Sequence, residues 1–156
     1  MLARAFAGER LISRLVGGTP TLYNAAHDVT VEVDGTRLEV KFSSLSEAFR
    51  GAKTKRWTWH NPYGISGKKE YDRLILVGEA DSRIRALRPG ADPYVIFDIP
   101  FERVPEILLP GCPIQISTDA RTARAPRAKI LFQEFLISVK LLEGRYGILI
   151  NPSGSG

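Results

Sequence analysis

The chain has one cysteine, Cys112, and two histidines, His27 and His60, in 156 residues. A single thiol cannot close an internal disulfide, which points to a reducing, intracellular setting, and a cytoplasmic location is expected. Nothing near Cys112 in "LLPGCPIQ" would activate it as a nucleophile, so a small packed side chain is expected there. The two histidines are too isolated to argue for zinc. No apolar run approaches the about 20 residues that a membrane-spanning helix needs. The opening "MLARAFAGERLISRLVGG" is apolar and basic, but Glu9 and Arg10 interrupt it, so it has no proper signal-peptide core. A mitochondrial transit peptide is the other reading of that segment, and a folded helix is preferred. Repeats and clear linkers are absent. Residues 1–150 are expected to form one domain, and "NPSGSG" (151–156) a flexible tail.

What is present is an excess of positive charge: 22 Lys and Arg against 17 Asp and Glu, a net charge of +5. The isoelectric point is about 9.6. Such a balance favours a polyanionic partner, nucleic acid first, although charge describes a field and not a fold.

Periodicity supplies the elements. Residues 3–16 predict a helix, stopped by Gly17-Gly18 and then Pro20. "DVTVEV" (28–33) and "TRLEVKF" (36–42) alternate as strands around Asp34-Gly35, a strong hairpin signal. "SLSEAFRG" (44–51) suggests one or two helical turns, and "RWTWH" (56–60) an extended segment. "NPYGISGKKE" (61–70) reads as a loop. "RLILVG" (73–78) is a continuous apolar run, as in a central buried strand. "ADSRIRAL" suggests a short helix capped by Asp81 or Ser82. "YVIFDI" (94–99) predicts a strand, "FERVPEIL" a short helical piece interrupted by Pro105, and "PIQIS" a short strand. "KILFQEFLISVKLL" (129–142) fits helix or strand, and its length favours helix. The order is mixed α/β with a partly antiparallel sheet.

Wound at about 100° per residue, the first helix gathers Leu2, Ala5, Ile12, Leu15 and Val16 on one face. Glu9 falls inside that face, where a carboxylate is costly unless cations or donors meet it. Either it bends out at the rim to water or an arginine, or it points at a charged site at the sheet edge.

The hairpin raises the same choice. With Asp34-Gly35 as a two-residue turn, Val33 faces Thr36, Val31 faces Leu38 and Val29 faces Val40 on the core side. On the other side Glu32 faces Arg37, Thr30 faces Glu39, and Asp28 faces Lys41. Asp28 and Glu39 are then diagonal neighbours, roughly 7–8 Å apart at the backbone. Two carboxylates so placed can converge on one divalent cation, and oxygen-only ligation suits magnesium or manganese. Lys41 shares their face. A solvated hairpin face with cross-strand charge pairs is the alternative.

An acid at the start of one strand, E-x-K on its hairpin partner and a helix carboxylate upstream together resemble the PD-(D/E)XK nuclease superfamily, with its restriction-endonuclease-like fold. In that fold a first helix precedes a β-hairpin carrying the acid and the E-x-K, and a helix and further strands follow. The resemblance covers residues 9 to about 78. Asp28 matches the first acid, Glu39 the second, Lys41 the lysine, and Glu9 the helix carboxylate of some branches. His27 stands where the motif has proline, a position that varies within the superfamily.

The resemblance implies an α/β fold, a mixed β-sheet core flanked by helices. It implies that Asp28 and Glu39 hold Mg²⁺, with Mn²⁺ as a substitute and the backbone carbonyl of Val40 helping. Glu9 would ligate a second metal directly or through water. Lys41 would orient or deprotonate the attacking water. The implied activity is a metal-dependent DNA endonuclease; large loops and basic arms favour site-specific double-strand cutting of restriction or homing type over a repair nuclease. A homodimer is expected on a palindromic duplex, with one site per strand.

The stretch 50–73 is rich in Arg and Lys. Lys53, Lys55, Arg56, His60, Asn61, Lys68 and Lys69 are candidate contacts to double-stranded DNA. Gly64 and Gly67 would let its loop order on the duplex. A second basic cluster, "RTARAPRAK" (121–129), offers Arg124 and Arg127 and reads as a recognition arm or a solvated loop. Trp57 and Trp59 share a face if the strand is extended, and packing is preferred to base stacking. Two other functions stay open. One is a non-catalytic nucleic-acid-binding module on the same fold, and the other is an interaction protein whose basic stretch meets an acidic partner.

Overall fold

A computed structural model describes residues 12, 18–20, 29–31, 34–47, 50–51, 55–62, 70–80, 94–108, 112–117 and 134–146. Nine strands are present among them: β1 (Gly18–Pro20), β2 (Val29–Val31), β3 (Arg37–Ser43), β4 (Ser46–Glu47), β5 (Lys55–Trp59), β6 (Arg73–Glu79), β7 (Tyr94–Pro100), β8 (Ile114–Ser117) and β9 (Leu136–Ile137). A 3-10 helix spans Phe101–Ile107, helix α1 spans Val139–Arg145, and Ile12 is helical. No helix among the described residues is long and apolar enough to cross a membrane.

The architecture is mixed α/β. A six-stranded sheet runs in the order β1-β2-β3-β6-β7-β9, parallel only between β3 and β6. A second, antiparallel sheet runs β4-β5-β8. Residues 74–78 of β6 are all buried, as the unbroken "RLILVG" run predicts for a central strand covered on both faces. Leu74 and Leu76 enter a first core with Val95, Phe97 and Ile99 of β7, Trp57 and Trp59 of β5, and Ile114 and Ile116 of β8. Ile75 and Val77 enter a second core with Val29, Val31, Leu38, Val40 and Ile96. Ile12, Ile137, Leu142 and Tyr146 close that second side. The expectation of a helix-flanked sheet is thus met on the second face. On the first face, the described cover is the small sheet plus Val104 and Ile107 of the 3-10 helix.

The tryptophans pack, as preferred from the sequence. Trp57 and Trp59 are buried and stacked at 5.9 Å, each edge-on to Phe97 at about 6 Å. Their indole N–H groups donate to the carbonyls of Glu79 (2.9 Å) and Val77 (3.0 Å), so neither polar edge is stranded in the core. Gly78 is where this packing needs glycine, because a Cβ there would lie 2.5 Å from Trp57 Nε1.

Three sequence expectations need correction. The hairpin register pairs Val29 with Leu38 and Thr30 with Arg37, two residues from the expected alignment. The cause is local. Asp34 Oδ1 accepts from the Thr36 amide (2.9 Å) and hydroxyl (2.6 Å), and Val31 exchanges backbone bonds with Gly35 and Thr36. Val31 therefore closes on Thr36 and not on Leu38, with Gly35 at φ +74°. A slip of two keeps every side chain on its face but changes its partners.

The second correction is at 44–51, where no helix forms among the described residues. Ser46 and Glu47 pair with Arg56 and Lys55, and Arg50-Gly51 make a turn with Gly51 at φ +80°. Strand pairing takes the backbone groups that a marginal helical turn would have used. The third is at 129–142, which is not one helix. Residues 134–135 are helical, β9 pairs with Ile96 and Phe97, and α1 starts afresh at Ser138, whose hydroxyl accepts from Leu141 N at 3.1 Å. Residues 129–133 lie outside the described set, as do most of 3–16 and nearly all of "ADSRIRAL".

Candidate functional site

Strand β3 has the sequence "RLEVKFS", and its alternation divides it cleanly. Leu38 and Val40 point into the second core. Glu39, Lys41 and Ser43 take the opposite face, in register with Leu74, Leu76 and Gly78 of β6. That row therefore lies on the first-core side, next to the Trp57 and Trp59 layer.

Ser43 makes the corner between the sheets. Its hydroxyl donates to Ser44 O (2.8 Å) and accepts from Thr58 N (2.9 Å). Beyond it, Leu45 N donates to Glu79 Oε1 at 3.0 Å, and the chain passes into β4 of the small sheet.

Within the row the acid and the lysine meet. The Glu39 side chain is 0% exposed, and Lys41 Nζ stands 3.4 Å from its Oε2. Lys41 itself is 26% exposed. A fully buried carboxylate on a strand is costly unless cations or donors offset its lost hydration. That makes Glu39 a different residue from the solvated Glu that the bland hairpin reading expects.

Glu39, Val40 and Lys41 are thus brought together, while Glu9 and Asp28 lie outside the described residues. In the observed register Thr30 stands against Arg37 and not Glu39. Among the described residues no three His, Cys, Asp or Glu side chains gather as a metal set. The described part of the site contributes one carboxylate, Glu39, and the backbone carbonyl of its neighbour Val40. Both are hard oxygen donors of the kind that suit Mg²⁺ or Mn²⁺, and a second acid has to come from elsewhere.

The candidate nucleic-acid contacts divide similarly. Lys53, Lys68, Lys69, Arg124 and Arg127 lie outside the described residues. Lys55 is partly buried and pairs with Glu47 at 3.7 Å. Arg56 is partly buried, and its Nε meets no hydrogen-bond acceptor among the described residues. His60 and Asn61 are exposed just past β5, with Asn61 at φ +50°, a conformation that asparagine tolerates better than most residues.

One charged cluster escaped the sequence reading. Asp98 of β7 is buried on the second-core side. It accepts from Arg73 Nε (2.6 Å), Arg145 Nη1 (2.7 Å) and the Tyr146 hydroxyl (2.9 Å). Burial works against the Arg73 charge, but Asp98 more than offsets it and holds the guanidinium above its usual range. Burial, then the Asp98 charge, pushes the Tyr146 phenol well above its ordinary value. The cluster pins the end of α1 to the sheet. An aspartate inside the apolar "YVIFDI" run was the available signal.

Compared with known families and curated proteins, the chain matches no family model, and no curated protein matches it significantly.

Proposed function

We propose that this chain is a Mg²⁺-dependent DNA endonuclease on a restriction-endonuclease-like fold, acting in the cytoplasm as a dimer on double-stranded DNA. The observation that carries this reading is the fully buried Glu39 with the Lys41 ammonium 3.4 Å away, on one face of a hairpin strand. The helical Ile12 ahead of the hairpin and the further strands behind it are compatible with that order, although β4 stands where that fold has a helix. The net charge of +5 agrees with a polyanionic substrate.

In this reading Glu39, the Val40 carbonyl and Asp28 would hold the metal, and Glu9 would support a second one. Asp28 is the chain neighbour of Val29, whose partner Leu38 is the chain neighbour of Glu39. When bound, the metal lowers the pKa of a water and stabilises charge on the scissile phosphate. Lys41 would orient the attacking water and offset negative charge developing on the phosphate oxygens. Lys55, Arg56, His60 and Asn61 hold the duplex backbone, together with the basic residues of 53–69 and 121–129. Site-specific double-strand cutting of restriction or homing type is the finer part of the proposal.

The test is incubation with plasmid and with short RNA, in Mg²⁺ or in EDTA, beside Lys41→Ala. Metal-dependent nicking of the plasmid that the variant loses is the expected result. DNA binding without cleavage in Mg²⁺ and Mn²⁺ would leave a non-catalytic binding module, and no nucleic-acid affinity at low salt would remove both readings.

A further inference from the structure

We propose that Arg73 and Arg145 form a binding site for one phosphate group, on the face of the large sheet opposite to the Glu39 row. The site stands whether or not a metal binds at Glu39. Asp98 brings the two arginines together. Its Oδ1 accepts from Arg73 Nε at 2.6 Å and its Oδ2 from Arg145 Nη1 at 2.7 Å. Because a single carboxylate joins them, those two nitrogens are less than about 8 Å apart. The Tyr146 hydroxyl also donates to Oδ2, at 2.9 Å. The Asp98 side chain is 0% exposed, whereas that of Arg73 is 28% and that of Arg145 is 48% exposed. Solvent therefore meets the cations and not the carboxylate that holds them.

The pair has donors and charge to spare. A guanidinium carries five N–H donors in a rigid fork. Asp98 takes one from each arginine, and neither makes another hydrogen bond among the described residues. No nitrogen of Arg73 is buried without a partner, so its remaining donors reach solvent. Two guanidiniums against one carboxylate leave a positive charge uncompensated within the cluster. Glu102 also acts on Arg73 through its charge, but it is exposed, and Arg73 pairs with Asp98 instead. A planar carboxylate presents two oxygens and matches one fork. A tetrahedral phosphate presents oxygens on several sides and can accept from both guanidiniums at once. Asp98 already fixes the two arginines, so little side-chain freedom is lost when the phosphate arrives. A free phosphate and one in a nucleic-acid backbone offer the same oxygens to these forks, and titration tells them apart.

Calorimetric titration with inorganic phosphate, at low salt and without divalent metal, tests this on the wild type, Arg145→Gln, Arg145→Lys, Glu102→Gln and Lys41→Ala, with circular dichroism to confirm folding. The wild type should bind one phosphate. Arg145→Gln should bind it at least about tenfold more weakly, the worth of a lost charged hydrogen bond. Arg145→Lys keeps the charge beside Asp98 but loses the fork, and should bind about threefold more weakly or worse. It decides alone if Arg145→Gln does not fold. Glu102→Gln should bind as tightly as the wild type or more tightly. No binding by the wild type, or undiminished binding by the folded Arg145 variants, would overturn the inference. So would binding that survives in Arg145→Gln and disappears in Lys41→Ala, because the phosphate would then lie on the Glu39 face. A short DNA duplex identifies the source. For a backbone phosphate, Arg145→Gln also weakens duplex binding and lowers its salt slope by about one. For a free phosphate, duplex binding stays unchanged and only the inorganic phosphate titration falls. Neither result bears on a metal at Glu39, which the plasmid assay tests separately.

Discussion

At Gly78 the Trp57 indole lies where any side chain would have to go. A Cβ would stand 2.5–2.8 Å from three indole atoms that are held by the N–H bond to Glu79 O. Gly78→Ala should therefore destabilise the fold by about 1–3 kcal/mol, the usual cost of overpacking, measured as a shift in urea midpoint at unchanged m-value. Asp98 makes the complementary case, a charge that the interior needs. Asp98→Asn keeps the shape but leaves the Arg73 and Arg145 guanidiniums without their carboxylate. Breaking a buried pair costs about 3–5 kcal/mol, and Arg145, 48% exposed, can turn to water, so about 2–3 kcal/mol is expected. A loss under about 0.5 kcal/mol on urea unfolding would show that the cluster is dispensable. Residues of this kind set the limit of what a sequence shows. Glu39 and Lys41 were legible as a motif because they share a strand face two residues apart. The burial of Glu39 was not, since it depends on what the rest of the chain packs over that strand face. Asp98 could be suspected from its apolar neighbours, but its partners come from 25 and 47 residues away in the chain.

Elements were legible where one pattern dominated. The runs at 73–79 and 94–100 are strands as expected, because β-branched and apolar residues covered on both faces leave little choice. The segments at 44–51 and 129–142 misled because helical periodicity over a short window competes poorly with a waiting strand edge. The hairpin shows a side chain deciding a register. Asp34 takes the Thr36 amide that a two-residue turn would have given to the backbone, and Val31 bonds with Gly35 and Thr36 instead. The Thr36 hydroxyl and then its amide hold the Asp34 carboxyl below its ordinary value of 3.8. A lowered carboxyl pKa adds stability above the unfolded value, and that stability is lost as the pH falls through the folded value. Asp34→Ala should then cost about 0.5–1 kcal/mol at pH 7, a small figure because the turn is exposed. The gap between variant and wild type should close well below pH 3.8. A gap that stays constant down to that acidity would mean that the Asp34 charge does not hold the turn.

At the scale of the whole molecule, two cores share one sheet. Strands β6 and β7 send alternate residues to opposite sides, Leu74, Leu76 and Phe97 to the first core and Ile75, Val77 and Ile96 to the second. Neither core can melt without freeing strands that the other depends on, so the described part of the fold should unfold as one cooperative unit. Nature has supplied the probe, because both tryptophans of the chain lie in the first core. Their fluorescence reports that side alone, while far-ultraviolet circular dichroism reports the sheets and helices together. The two signals should give the same midpoint in urea, and midpoints separated beyond error would mean that the helical side around Leu142 and Tyr146 opens independently. Glu39 sits at the junction, on β3 with Leu74 of β6 as its ladder neighbour. A divalent cation held there, as proposed, would bind only the folded state and stabilise it by mass action. Excess Mn²⁺ should therefore raise both midpoints together in the wild type and move neither in Glu39→Gln. A rise seen by fluorescence but not by dichroism would place any metal effect in the first core alone and break the link between the site and the shared sheet.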